Sequence, residues 1–134
     1  MTQSTKTPSP TRSRDKVLQT LYEIEISGQD LKQVLKNHSL GKNNLFYKEM
    51  LKGVVDVKEK IDEVLSKNSD RPIESLASIE RNILRIAIYE LQIKKVDSLV
   101  VISEAIRMSK KYGSSGGYKL INGILDNIVK KNQA

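Results

Sequence analysis

Residues 78–95 constrain the fold more than any other part of this chain. Ile79, Ile83, Leu84, Ile86, Ala87, Ile88, Leu91 and Ile93 recur at helical spacing, yet they cover most of the circumference instead of one stripe. A helix that is apolar nearly all round has to be surrounded, so the rest of the chain must supply several elements to pack against it. Ser78 is its expected cap. Its few polar residues stand out for that reason: Glu80, Arg81, Asn82, Arg85, Glu90 and Gln92. Helical spacing places Arg81 and Arg85 together, with Glu80 beside them, on one expected exposed sector.

The remaining apolar residues provide the surrounding elements, and all of them repeat at helical rather than strand spacing. Val17, Leu18, Leu21, Tyr22 and Ile24 trace an amphipathic helix over residues 12–27, which Gly28 can end. Leu31, Val34, Leu35 and His38 mark a short helix begun by Asp30, followed by a loop at 41–44. From Asn44 as cap, Phe46, Met50, Val54, Val57, Ile61 and Val64 or Leu65 run over about six turns, the longest helix expected. Residues 68–72 break it, and Pro72 opens a short turn with Ile73 and Leu76. Leu99, Val100, Val101 and Ile102 have strand propensity, but Ala105, Ile106, Met108, Ser109 and Tyr112 continue at helical spacing, so residues 98–112 read as helix stopped by Gly113. A turn at 114–117 leads to a last helix carrying Leu120, Ile121, Ile124, Leu125, Ile128 and Val129. The expectation is an all-α fold, a compact bundle of about six or seven helices over residues 12–134. Residues 1–11, polar and holding Pro8 and Pro10, are expected to be a disordered arm.

Charge adds a partner class. The 134 residues carry 23 Lys and Arg against 16 Asp and Glu, a net +7. Residues 1–16 hold +3 of this and residues 107–134 hold +5, while the long middle sums to −1. A basic surplus confined to the two ends suits either a polyanion, since each Lys or Arg on a phosphate releases counterions, or two solvated, partly disordered ends, and charge alone does not decide between them. Other classes lose their raw materials. With no Cys, thiolate sites and Cys–His nucleophiles are excluded; with one His, so are multi-His metal sites, and His38, near a helix end, reads as a core-edge residue and not as the base of a Ser–His nucleophile. Neither phosphate-loop nor dinucleotide glycine patterns occur, and residues 113–117 read as an interhelical turn. Glu59, Asp62 and Glu63 share a face but are expected to be solvated. No catalytic residue, metal or cofactor is expected, and the chain is not read as an enzyme. Apolar runs fall far short of the roughly 18 residues that cross a bilayer, and residues 2–16 are polar, so a soluble cytoplasmic protein is expected. Tyr112 and Tyr118 lie beside Lys110, Lys111 and Lys119, which either couples stacking rings to phosphate-binding charge or packs Tyr112 in the core with Tyr118 covering the turn, whereas Tyr22, Tyr47 and Tyr89 read as core or core edge.

Five segments, in order, carry a resemblance. Leu18-Gln19-Thr20-Leu21-Tyr22, residues 46–54, Arg81-Asn82-Ile83-Leu84-Arg85-Ile86-Ala87-Ile88-Tyr89-Glu90-Leu91, Val101-Ile102-Ser103-Glu104-Ala105-Ile106 and Asn122-Gly123-Ile124-Leu125-Asp126 are similar to motifs of the NusB antitermination family. The resemblance implies two small helical subdomains and an RNA-binding antitermination factor. Such a factor binds the boxA element of ribosomal-RNA leader transcripts together with NusE, the small-subunit ribosomal protein S-ten, and supports processive transcription by RNA polymerase. By position it implies RNA contacts at Arg12, Arg14, Lys16, Tyr118, Lys119 and Leu120, and a partner-facing or face-ordering role for Tyr22, Glu74, Glu80 and Arg85. A homodimer is a further partner state it leaves open. Leu120 stands where the family often has Phe, and Pro10 and Thr11 stand where it often has further Arg. These departures ground the alternative, a helical protein-interaction module with little RNA binding of its own.

Overall fold

In the computed structural model, which describes residues 9–36 and 44–133, the first helix starts before its apolar pattern does. Helix α1, Pro10–Ser27, begins at Pro10 because Ser9 caps it, its Oγ accepting from the Arg12 backbone N–H at 3.3 Å, and because proline's fixed φ suits a first helical position. Residues 10 and 11, expected in the arm, are therefore helical. Gly28 closes α1 in the left-handed region at φ 72°, its N–H reaching Ile24 O at 3.0 Å. Helix α2 spans Leu31–Lys36, opened by a reciprocal exchange in which Asp30 Oδ1 accepts from Gln33 N and Gln33 Oε1 accepts from Asp30 N. His38 and loop residues 41–43 lie outside the described residues.

The expected six-turn helix is two. Helix α3 is Leu45–Asp56 and α4 is Lys58–Lys67, with Val57 between them at φ −114°, ψ 23°. The interruption falls by the β-branched Val54, Val55 and Val57, whose stiff side chains lower helix propensity slightly. Val57 N still reaches Gly53 O and Ile61 N still reaches Val57 O, so the apolar period passes through the break and does not report it. A short 3-10 turn, Ile73–Ser75, follows. Helix α5 is Ser78–Ile93, capped by the backbone of Ala77, so Ser78 is its first residue and not its cap. Helix α6 is Ser98–Tyr112, capped by Asp97 Oδ1 on Leu99 N, and α7 is Gly117–Gln133. Among the described residues there are seven α-helices and no strand.

The chain divides into two units, residues 1–52 and 53–134. In the first, α2 packs on α1, and Val17, Leu18, Val34, Tyr47 and Leu51 are buried. In the second, α5 packs against α4, α6 and α7. Ile83, Leu84, Ile86 and Ile88 are wholly buried along it, which is what its all-round apolar character requires. The Tyr89 ring lies on the backbone of Gly53, where any Cβ would collide with it.

Candidate nucleic-acid interface

In the first unit the basic end of α1 divides its charges. Arg12 and Lys16, four residues apart, are exposed on one face. No acidic residue occupies the first turn, so the positive end of the helix dipole is reinforced and the tip is an anion-attracting surface. Arg14, expected to reach RNA, is only 3% exposed and its guanidinium stands 5.4 Å from the centroid of the Phe46 ring. It falls on the inner side of α1, between Ser13 and Asp15, which are also buried. Neutral groups join α1 to α3. Asn44 donates from Nδ2 to Ser13 Oγ at 2.9 Å and accepts at Oδ1 from Tyr47 N at 3.1 Å, so the expected cap of α3 also anchors α1. Thr20 Oγ1 donates to Lys16 O at 2.8 Å, which leaves the Tyr47 hydroxyl to donate to Thr20 Oγ1 at 2.7 Å. Burial pushes the Tyr47 hydroxyl above its ordinary pKa; the Thr20 hydrogen bond opposes this and the negative charge of Glu23 adds to it. Tyr22 is 39% exposed and not in the core, which leaves it available to a partner.

In the second unit the glycine turn is built on a buried carboxylate. Glu80, expected on an exposed sector, is 3% exposed. Its Oε2 accepts from Ser114 N at 2.7 Å and Ser114 Oγ at 3.1 Å. A Cβ on Gly113 or Gly117 would run into that same carboxylate, so glycines at both ends let the turn close over Glu80. The turn delivers the first residues of α7: Tyr118 and Leu120 are half-buried and Lys119 is exposed. Lys110 Nζ lies 4.8 Å from the Tyr118 ring centroid and Lys111 Nζ 5.2 Å from that of Tyr112, placing each cation on an aromatic face.

Arg85 likewise turns inward. At 7% exposure it donates from Nε and Nη2 to the two carboxylate oxygens of Asp62 at 2.8 and 3.0 Å, and from Nη1 to Asn82 Oδ1 at 3.1 Å. A fork-to-fork ion pair of this kind holds α5 to α4, and it removes Asp62 from the solvated acidic face expected of it. Arg81 Nη1 donates to Leu76 O at 3.0 Å and Ile73 O at 3.4 Å, fixing the 3-10 turn on which Glu74 is exposed. The signature on α5 thus works mainly inward, and Ser114 and Asp62, its distant partners, carry no local sequence signal. Among the described residues no group of three or more metal-ligating side chains occurs, and no helix is long and apolar enough to cross a membrane.

Comparison with known proteins gives one answer. The model of the NusB family matches residues 11–130. The "Transcription antitermination protein NusB" of Shewanella amazonensis is 36% identical over 127 residues, 90% of this chain and 95% of that protein. The protein of the same name from Nitrosococcus oceani is 33% identical over 128 residues, 92% of this chain and 86% of that one. A solved T. maritima NusB is similar with a TM-score of 0.84 at 29% identity, covering 94% of each chain. A chain from the crystal structure of antitermination factors NusB and NusE in complex with double-stranded RNA has a TM-score of 0.77 at 27% identity, covering 90% of this chain and 96% of that chain.

Proposed function

This chain belongs to the NusB family of antitermination proteins, and from that membership we propose that it binds boxA RNA of ribosomal-RNA leader transcripts jointly with NusE and so keeps RNA polymerase transcribing past terminators. The family is one of RNA-binding antitermination factors and not of enzymes. The observation that carries the reading is the likeness, over 90% of this chain, to a NusB chain solved with NusE and RNA. Two features of this chain support it. Arg12 and Lys16 form an exposed basic tip on α1, and Tyr118, Lys119 and Leu120 are presented by a turn that Glu80 holds in place. RNA would meet the tip through its phosphates and the Tyr118 segment through stacking as well as charge. NusE would use Tyr22 of the first unit and Glu74 of the second, both exposed, with the buried Glu80 and Arg85 ordering the second unit.

A filter-binding titration with boxA RNA, run with and without NusE, tests this. Weak binding alone and tight binding with NusE is the expected result, and no gain on adding NusE overturns it. Arg12→Ala and Lys119→Ala should each flatten the salt dependence by about one unit of slope, the share of a single phosphate–cation pair. A second reading, a protein-interaction module with little RNA binding, draws on the burial of Arg14 and on Lys110 resting over the Tyr118 ring, which together reduce the charge and ring surface facing solvent. NusE binding with no RNA contribution would favour it.

A further inference from the structure

We propose that the cleft between the α4-to-3-10 connection and α7 is a subsite for one unstacked RNA base, an inference that rests on the RNA-binding reading above and adds residues to it. The cleft has a volume of about 410 Å³ and is lined on one side by Asn68, Asp70 and Arg71 and on the other by Leu120, Asp126 and Asn127. That volume lies within the range of small-ligand sites, about 300–1,000 Å³. Leu120 and Arg71 also line a second, smaller cleft that reaches the glycine turn, so the surface is continuous with the segment that presents Tyr118 and Lys119.

Charge decides which part of an RNA this cleft suits. Arg12, Lys16 and Lys119 stand where phosphates would be drawn. Here the two carboxylates of Asp70 and Asp126 balance Arg71 and Lys130, and Lys130 Nζ is already paired with Asp126 at 3.0 Å. A charge-balanced cleft neither attracts nor concentrates a phosphate, but it does offer hydrogen-bond donors and acceptors at close range. The amides are set in place: Asn127 Nδ2 donates to Asn68 Oδ1 at 3.0 Å, and Asn68 Nδ2 donates to Val64 O at 2.8 Å. Asn127 Oδ1 remains as an acceptor. Ser69 Oγ bonds both the carbonyl and the N–H of Arg71 and so fixes that residue's backbone, while its guanidinium has no partner among the described residues. A guanidinium both donates to a base edge and stacks on a base face. Gly123 completes the shape. A Cβ there would meet nothing within 4 Å, so a flat ring has room beside the α7 backbone, against the apolar Leu120.

The test uses the full chain with NusE and a boxA RNA carrying a single abasic nucleotide at successive positions. One position should weaken wild-type binding by about fivefold or more, the worth of one well-placed base interaction. Arg71→Ala, Asn127→Ala and Gly123→Leu should each abolish the penalty at that position while leaving the salt slope unchanged. Gly123→Leu fills the space without removing a polar group, and leucine favours a helix more than glycine does, so a folding defect does not confound it. Variants that keep the wild-type abasic profile overturn the subsite. An even loss at every position with a shallower salt slope makes Arg71 a phosphate ligand and overturns it too. Wild-type chain that binds no RNA, with or without NusE, overturns the proposed function itself.

Discussion

The hydrogen bonds that tie one element to another differ in kind between the two units. In residues 1–52 the links between α1 and α3 are neutral, Ser13 with Asn44 and Thr20 with Tyr47. In residues 53–134 the buried groups of α5 include ions: Arg85 meets Asp62 from 23 positions earlier in the chain, and Glu80 meets Ser114 from 34 positions later. A neutral hydrogen bond contributes about 1 kcal/mol net, and losing it exposes little penalty if water can enter. Removing one partner of a buried ion leaves an uncompensated charge, which costs several times more. Losing an ionic link of α5 should therefore cost more than losing a neutral link between α1 and α3, a contrast that leaves aside Arg14 and Asp15, the ions buried on α1 itself.

Asp62→Ala offers the strongest test. It should lower the free energy of unfolding by about 3 kcal/mol in urea denaturation, because Arg85 keeps Asn82 but loses its counter-charge; a cost below about 1 kcal/mol would make this pair behave as a surface one and remove the contrast. Glu80→Ala is expected to cost about 2 kcal/mol, since the Ser114 N–H and hydroxyl lose a charged acceptor, and faster amide hydrogen exchange at residues 113–117 should accompany it. On the other side of the contrast, Asn44→Ala should cost about 1 kcal/mol, a helix cap's worth. Tyr47 gives the smallest effect and a pH signature. Its folded-state pKa is raised above the ordinary 10.0, so the unfolded chain releases the proton first as pH rises. The associated stability is fully present below about pH 10 and is lost as pH climbs through the folded value. Tyr47→Phe should remove that alkaline slope while costing under about 1 kcal/mol at neutral pH, as followed by thermal melts across pH 8–11.

Much of the architecture is readable from periodicity. The encircled helix, expected over 78–95 and ending at Ile93 where Lys94 turns left-handed, the Gly28 and Gly113 stops, and the Asp30 and Asn44 starts all depend on residues within one or two turns of each other. The break at Val57 escapes such a reading because the hydrogen-bond ladder and the apolar period both continue through it. Arg14, Glu80 and Arg85 escape it for a different reason. A helical wheel assigns charged residues to the solvent side, and each of these has a destination that the wheel does not contain: the Phe46 ring, the Ser114 turn and the Asp62 carboxylate.

Sequence by itself determined the fold class, the positions of most helices, the concentration of positive charge at the two ends and the motifs of the NusB family. Those properties are set by side-chain period, by capping chemistry and by composition, all of which act over short stretches of chain. Only the tertiary structure decided which charges face water. Burying an ion is tolerable where a partner of the right geometry waits, and that partner lies tens of residues away along the chain, so Arg12 and Lys119 stay exposed while Glu80 and Arg85 turn inward to Ser114 and Asp62.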